Sequence, residues 1–244
     1  MGDVVMENWH RIWNKRCVDE KKLQSNNAKE IFMELKRLTG NDTMGPNGVK
    51  YESFMRQYNH LMEDLSNNGR WEIKSVFEVG CGSGPYLMMN QLDGRAVGGM
   101  DYSQVLIDVA GKVLKNPREL YCDEAVNLKT DEQYDAVFST SAFEYFESEE
   151  YATKVLNKML SKANYSIGVI DVHDAALQEQ WLLYRRSTIE NYDELYNGLD
   201  KMFYYKKFFE EYAEQNNLDI IIKESYLDGY WNKDYVYDVY FYRK

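Results

Sequence analysis

An α/β fold built on a mainly parallel sheet is what the 244-residue sequence predicts, and three observations carry that reading. From residue 72 onward, short runs rich in β-branched and aromatic residues alternate with helix-length stretches, which puts helices on both faces of a parallel sheet. The first run ends in a glycine loop, residues 80–84, as a ligand-binding strand-to-helix turn does. The last two runs are joined by residues 225–234 without a helix. They therefore pair as an antiparallel hairpin at one edge, since a parallel neighbour needs a longer crossover.

The elements follow in order. Residues 1–70 read as a helical cap. Within it, residues 27–38 carry Ile31, Leu35 and Leu38 at helical spacing, and residues 51–65 carry Phe54, Tyr58, Leu61, Met62 and Leu65. Between them residues 40–48 (GNDTMGPNG) are dense in turn formers. Trp9 and Trp13 lie four apart on a first helix, as a lid over a cleft or as apolar anchors. Residues 71–244 form the main domain. Its strands are expected at 75–79, 95–100, 120–122, 135–139, 166–172, 218–223 and 236–242, seven in all with the last antiparallel. Helices are expected at 86–91, 103–114, with Ser103 as N-cap, and 149–160. Residues 173–215 read as a helical insertion between strands five and six, on the substrate side.

Composition narrows the function. Apolar residues at 44 % allow a full core, while 28 % charged residues and a mean hydropathy of -0.62 favour a soluble, cytoplasmic protein. No apolar run is long enough to span a bilayer, and the N-terminus lacks the apolar block of a secretory signal. Three cysteines and three histidines lack metal-ligand spacing, so no metal and no disulfide framework are expected. The net charge of -11 divides unevenly: residues 1–70 hold 11 basic and 10 acidic residues (+1), leaving 18 and 30 (-12) for the rest. Such a surface repels phosphate backbones and argues against a nucleic-acid partner.

The loop reads Phe77-Glu78-Val79-Gly80-Cys81-Gly82-Ser83-Gly84. A dinucleotide turn has the form GxGxxG; here the spacing is GxGxG, with Pro85 where the last glycine of that motif would stand. Glu78 is badly placed beside a pyrophosphate. It suits a ligand bringing positive groups, such as an ammonium beside a sulfonium, or else it caps backbone amides. Asp101, ending the second strand, accepts both hydroxyls of a ribose or caps the next helix.

These segments resemble the class I S-adenosyl-L-methionine (SAM)-dependent methyltransferases, which are Rossmann-like. Glu78-x-Gly80-x-Gly82-x-Gly84 is similar to their first motif, and Asp101-Tyr102-Ser103 to their ribose-binding acidic loop. Glu124-Ala125-Val126-Asn127-Leu128 resembles the segment that meets adenine; the family has Asp where Glu124 stands, with Asp123 beside it, and either carboxylate fits that role. Tyr134-Asp135-Ala136-Val137-Phe138-Ser139 resembles the strand whose end lies beside the methionine part. The resemblance implies SAM as cofactor, contacted by Glu78, Gly80, Cys81, Gly82, Gly84, Asp101, Tyr102, Ser103, Asp123, Glu124, Ala125 and Ser139.

It also implies methyl transfer to an oxygen or nitrogen of a small molecule bound under the cap. Rival readings are a SAM-binding regulatory or scaffold protein without catalysis, a protein methyltransferase, and a nicotinamide oxidoreductase, which the loop spacing opposes. For proton removal from the acceptor His173 is the first candidate, since imidazole titrates near neutrality and Asp171 or Asp174 stand ready to orient it. Glu144 and Tyr145 follow, in the segment where the family often has a histidine. Each has a plainer alternative, a loop histidine and the opening of a covering helix. The basic pairs Arg185-Arg186 and Lys206-Lys207 meet an anionic substrate group or form a solvated face. The tyrosines at 204–205 and 226–242 line an aromatic pocket or pack the sheet.

Overall fold

The structure, a computed structural model, describes residues 2–40, 43 and 48–244, with the main chain alone for residues 2–7. Four helices come first: α1 (Gly2–Trp13), α2 (Glu20–Leu23), α3 (Ala28–Leu38) and α4 (Tyr51–Leu65). The sheet region follows with β1 (Ser75–Val79), α5 (Pro85–Leu92), β2 (Ala96–Asp101), α6 (Gln104–Val113), β3 (Glu119–Cys122), β4 (Tyr134–Thr140), α7 (Glu149–Lys162) and β5 (Ala163–His173). Next are α8 (Gln178–Thr188), α9 (Tyr192–Leu195), α10 (Lys206–Gln215), β6 (Leu218–Glu224) and β7 (Val236–Arg243). Most of the expected turn at 40–48 lies outside the described residues.

The seven strands form one sheet in the order β3-β2-β1-β4-β5-β7-β6. Strands β1 to β5 pair in parallel, and β7 runs antiparallel to both β5 and β6. The hairpin is the expected one, but its return strand enters between β5 and β6, which leaves β6 at the edge. From β1 the chain moves outward to β2 and β3, then crosses back to β4 and β5. The strand order reverses between β1 and β4, and at such a point a crevice opens at the carboxyl ends of the strands.

Alternation along the strands divides the core in two. Val76, Phe138, Ile170 and Tyr240 face α3, α4, α5 and α6, with Phe32, Leu35, Phe54 and Leu61 packed against them. Phe77, Val137, Val169 and Phe241 face α7 and α10. The N-terminal helices thus share a core with the sheet. Each fully buried Leu or Phe among them stabilises that attachment by about 1.5–3 kcal/mol. Local signals agree with the boundaries: Asn27 caps α3, Ser103 caps α6 and Ser148 caps α7, each accepting from a backbone N–H of the first turn. Among the described residues no helix is long and apolar enough to cross a membrane.

One buried charge braces the end of the sheet away from the crevice. Lys162, last in α7 and 0 % exposed, donates to Glu119 Oε2 (2.6 Å) and to the carbonyls of Lys129 (2.8 Å) and Glu132 (3.0 Å). All three of its protons are used. Lys162→Met leaves Glu119 and two carbonyls without their donor, and we expect a loss of about 3 kcal/mol in denaturant unfolding. Unchanged stability would contradict that role.

Candidate active site

At the crevice the loop after β1 turns sharply, with Gly80 at φ 73° and Gly82 at φ 53°. A side chain at Gly80 would put its Cβ 2.7 Å from Ala142, so only glycine lets this loop lie against the loop after β4. Asp101, ending β2, accepts from the Gly82 N–H (2.8 Å) and the Ser103 N–H (2.9 Å), locking the two loops together. Burial pushes its carboxyl up to about 6. Holding backbone amides and facing the cleft are here combined in one side chain. Each carboxylate oxygen has two lone pairs, and the structure uses one on each.

A cleft of about 960 Å³, partly open to solvent, runs across these loops. Glu78, Gly80, Cys81, Gly82, Asp101, Tyr102, Asp123, Glu124 and Ala125 all line it. Three expected contacts do not. Gly84 starts α5 beneath Ala110 and Leu114, Ser103 caps α6 and donates to Asn14 Oδ1, and Ser139 donates to the Val79 carbonyl at 2.8 Å. These residues set the loops and strand ends rather than the cleft wall. The Cys81 thiol is buried and pushed well up by that burial, so it stays neutral.

The two ends of the cleft differ. At one end, Tyr102 stacks on His10 of α1 (centroids 4.2 Å apart), whose Nε2 lies 3.1 Å from Glu124 Oε1. The Tyr151 hydroxyl lies 3.4 Å from Glu124 Oε2, and Asp123 Oδ1 accepts from the Glu124 N–H and the Asn127 amide. At the other end stands Glu78, 2 % exposed, with Oε2 lacking any partner among the described residues. Burial raises its pKa to about 8 against the opposing charge of Lys36. Lys36 of α3, 4 % exposed, also lines the cleft, with Nζ 4.2 Å from the Tyr86 ring centroid. Burial lowers it to about 8 against the charges of Asp171 and Glu78. The two do not form an ion pair with each other. A buried carboxylate and a buried ammonium thus face one small space, and both favour a guest that neutralises them.

Sequence reasoning missed Lys36. A signal was present: Lys36 lies four residues after Phe32 and next to Leu35, on the buried stripe of an amphipathic helix.

A second cavity of about 1770 Å³, partly open to solvent, adjoins the first. Trp9, Trp13, Thr39, Ser141 and Tyr145 line both. Tyr145 meets the edges of Trp9 (4.8 Å) and Trp13 (5.8 Å). The Trp9 indole donates to the Asp200 carbonyl (3.1 Å) and the Asn8 amide to that of Gly198 (2.9 Å), so α1 closes over the junction against the insertion. The two tryptophans act both as cover and as anchor. Ser141 is held in place by Asp171, which a bulge in β5 turns inward at φ 59° and which also accepts from Gln57 and Ser225.

Of the three candidates for acid–base work, Glu144 and Tyr145 reach these cavities and His173 does not. Glu144 lines the second cavity and is ion-paired to Lys201 at 2.6 Å. Burial and the neighbouring Glu144 keep the Tyr145 hydroxyl protonated. His173 is 0 % exposed beneath Trp181 and Phe203. The Trp181 indole donates to Asn232 Oδ1 (2.7 Å), which leaves the Asn232 amide nitrogen to donate to His173 Nε2 (2.9 Å). Its basic nitrogen is therefore occupied, and burial with the charges of Lys201 and Arg185 lowers its pKa well below the usual value. Asp171 and Asp174 do not orient the ring, since both bond elsewhere. The strand extends one residue further than the sequence predicts and carries His173 into the core.

Other sequence alternatives also resolve. Tyr237, Tyr240 and Tyr242 pack the sheet, whereas Tyr230 and Trp231 line the second cavity. Lys206 and Lys207 pair with Asp174 and Glu211, while Arg185 and Arg186 line the second cavity. Among the described residues no cluster could hold a metal ion.

Comparison with known proteins agrees with this geometry. Residues 77–167 match the family model described as a methyltransferase domain. Over 106 residues the chain is 30 % identical to the malonyl-[acyl-carrier protein] O-methyltransferase of Priestia megaterium, an alignment covering 42 % of this chain and 39 % of that protein. The match thus spans about two-fifths of the curated relative's length. The magnesium protoporphyrin IX methyltransferase of Synechocystis PCC 6803 with bound SAM superposes with a TM-score of 0.60 at 13 % identity, over 91 % of this chain and 99 % of that one. The plantazolicin methyltransferase BpumL, in complex with a triazolic desmethylPZN analog and S-adenosylhomocysteine (SAH), gives 0.62 at 17 % identity, over 99 % and 96 %. The chain therefore has the fold of the class I SAM-dependent methyltransferases, and its residues 77–167 match the methyltransferase-domain model.

Proposed function

We propose that this chain transfers a methyl group from SAM to an oxygen or nitrogen of a small molecule. The observation that carries the reading is the pair Glu78 and Lys36: a buried carboxylate with one oxygen unpartnered and a buried ammonium, neither in an ion pair among the described residues, complement the two charges of an amino-acid tail. Glu78 takes the ammonium and Lys36 the carboxylate. Asp101 takes the ribose hydroxyls, and Tyr102, Asp123 and Glu124 border the base. When bound, SAM supplies an activated methyl group on a sulfonium. The protein's work is then to align donor and acceptor and to keep water out.

The second cavity receives the acceptor. Tyr145, held protonated at the junction, donates a hydrogen bond to the acceptor atom rather than taking its proton. Glu144 is the nearer proton acceptor on that side, with Lys201 holding its carboxylate in place. His173 acts as a positioning residue behind the aromatic wall. The names of the similar structures speak of a porphyrin and of a triazolic desmethylPZN analog, which supports a small acceptor without choosing the atom, whereas that of the curated relative speaks of a carrier-bound one. The test is transfer of labelled methyl from SAM to the low-molecular-weight fraction of a cell extract. Labelled product with the wild type and none with Asp101→Ala is expected, and label only in macromolecules, or none at all, would overturn the reading.

A pH dependence follows. Glu78 binds the ammonium only as a carboxylate, and its raised pKa of about 8 keeps much of it neutral at lower pH. On the alkaline side Lys36, also near 8, loses the charge that holds the ligand's carboxylate. SAH affinity should peak close to pH 8 and fall about tenfold by about pH 6.5. Calorimetry across this range checks it; an affinity flat in pH, or highest at low pH, would contradict it.

A further inference from the structure

The second cavity has a charge of its own that methyl transfer as such does not require. Arg185 of α8 lies inside a cage of rings, its guanidinium carbon 4.7 Å from the Trp231 centroid, 5.1 Å from Tyr196, 5.5 Å from Tyr192 and 5.6 Å from Trp181. Stacking of Tyr192 on Tyr196 (4.7 Å) and of Tyr184 on Trp231 (5.5 Å) stiffens that cage. Arg16, after α1, lies 4.8 Å over the Trp13 ring and lines the same cavity. In both arginines Nε is buried and has no hydrogen-bond partner among the described residues.

The acidic side chains of this lining are engaged elsewhere or withdrawn. Glu144 is bound to Lys201 at 2.6 Å, and Asp193 to Arg186 at 2.9 Å. Asp200 is exposed at the rim and forms no ion pair with either arginine. Two guanidiniums without carboxylate partners among the described residues therefore border an aromatic-walled space, in a chain whose net charge is -11. A planar guanidinium fixed by rings presents its remaining donors as a rigid fork, the geometry that grips a carboxylate or phosphate. The rings beside it offer flat apolar surface at little entropic cost.

We propose that the acceptor carries an oxyanion, a carboxylate or a phosphate, on a flat apolar body, with Arg185 as its anchor and Arg16 as a second contact. This deepens the reading above and rests on it. The anchor lies away from the reacting atom, so it fixes which end of the acceptor enters the junction at Tyr145.

The experiment is calorimetry on SAH-loaded protein with three probes of one shape: 2-naphthoate, 2-naphthyl phosphate and neutral 2-naphthamide. At least one anionic probe should bind about tenfold or more tightly than the amide, and the stronger of the two identifies the group. Arg185→Gln should abolish that preference while SAH binding, titrated first, stays as in the wild type. Arg16→Gln should reduce it. Equal binding of amide and anions, no binding of either anion, or a preference that survives in Arg185→Gln would overturn the proposal. Failure of the wild type to bind SAH overturns the methyl-transfer reading instead, so the two outcomes are separable.

Discussion

Glu78→Gln should weaken SAH binding by about 10- to 100-fold, the effect of removing a charge-assisted hydrogen bond from a buried site. The same substitution should leave the ligand-free protein as stable as before, or more so at about pH 8. The reason is that Glu78 is almost fully buried, with one oxygen unpartnered, and its pKa is raised to about 8 by that burial. A carboxylate whose pKa is raised by folding costs stability as pH climbs above its unfolded value, and the isosteric amide carries no such penalty. Binding and stability thus move in opposite directions. A residue present only to cap backbone amides would lose both together. The gap in SAH affinity between wild type and variant should also narrow toward about pH 6.5, where most of Glu78 is already protonated. Calorimetry and thermal unfolding on the same samples read out both effects.

Asp101→Ala is expected to be the more damaging change. It removes the acceptor of two buried N–H groups, those of Gly82 and Ser103, along with the oxygens proposed for the ribose. Each orphaned amide costs about 1–3 kcal/mol, partly offset because a buried carboxylate with a raised pKa is no longer carried; a net loss of about 2 kcal/mol in denaturant unfolding is expected. SAH affinity should fall by about 100-fold or more, since the loop that carries Gly80 and Gly82 loses its tie to β2 while the ligand loses a partner. Asp101→Asn separates the two effects. Its single carbonyl oxygen still accepts from one amide, so it should recover part of the stability and little of the affinity. Full affinity in the Asn variant would mean that the carboxylate serves only the loops.

The sheet was legible in the sequence because its strands are short apolar runs bounded by glycine, polar loops or helix caps. β1 falls at the expected residues, and Ser103 caps α6 as expected. The start of β5 was less legible, since Ala163 follows Lys162 directly and no turn residue marks the change from helix to strand. The place of β7 between β5 and β6 was hidden for a different reason. A hairpin loop dictates antiparallel pairing but not which of its strands meets the rest of the sheet.

For the site, residue types at the strand ends carried Glu78, Asp101 and Glu124, because the cleft must form where strand order reverses. Long-range packing hid the rest. Lys36 reaches the cleft from α3, and Arg16 reaches the second cavity from the segment after α1; neither approach follows from local sequence, whereas Arg185 was legible as a basic residue on the substrate-side insertion. His173 shows the converse. Its residue type suggested acid–base work, yet the last residue of β5 points into the core.

The central claim is that one cleft accepts an adenosine at one end and an amino-acid zwitterion at the other, between Glu78 and Lys36. Its most direct test is a calorimetric titration at about pH 8 with SAH and with 5′-methylthioadenosine, the same nucleoside without the amino-acid tail. SAH should bind one to one and about 100-fold or more tightly than methylthioadenosine, the tail meeting two buried charges. No heat with SAH, or equal affinity for the two ligands, would contradict the account.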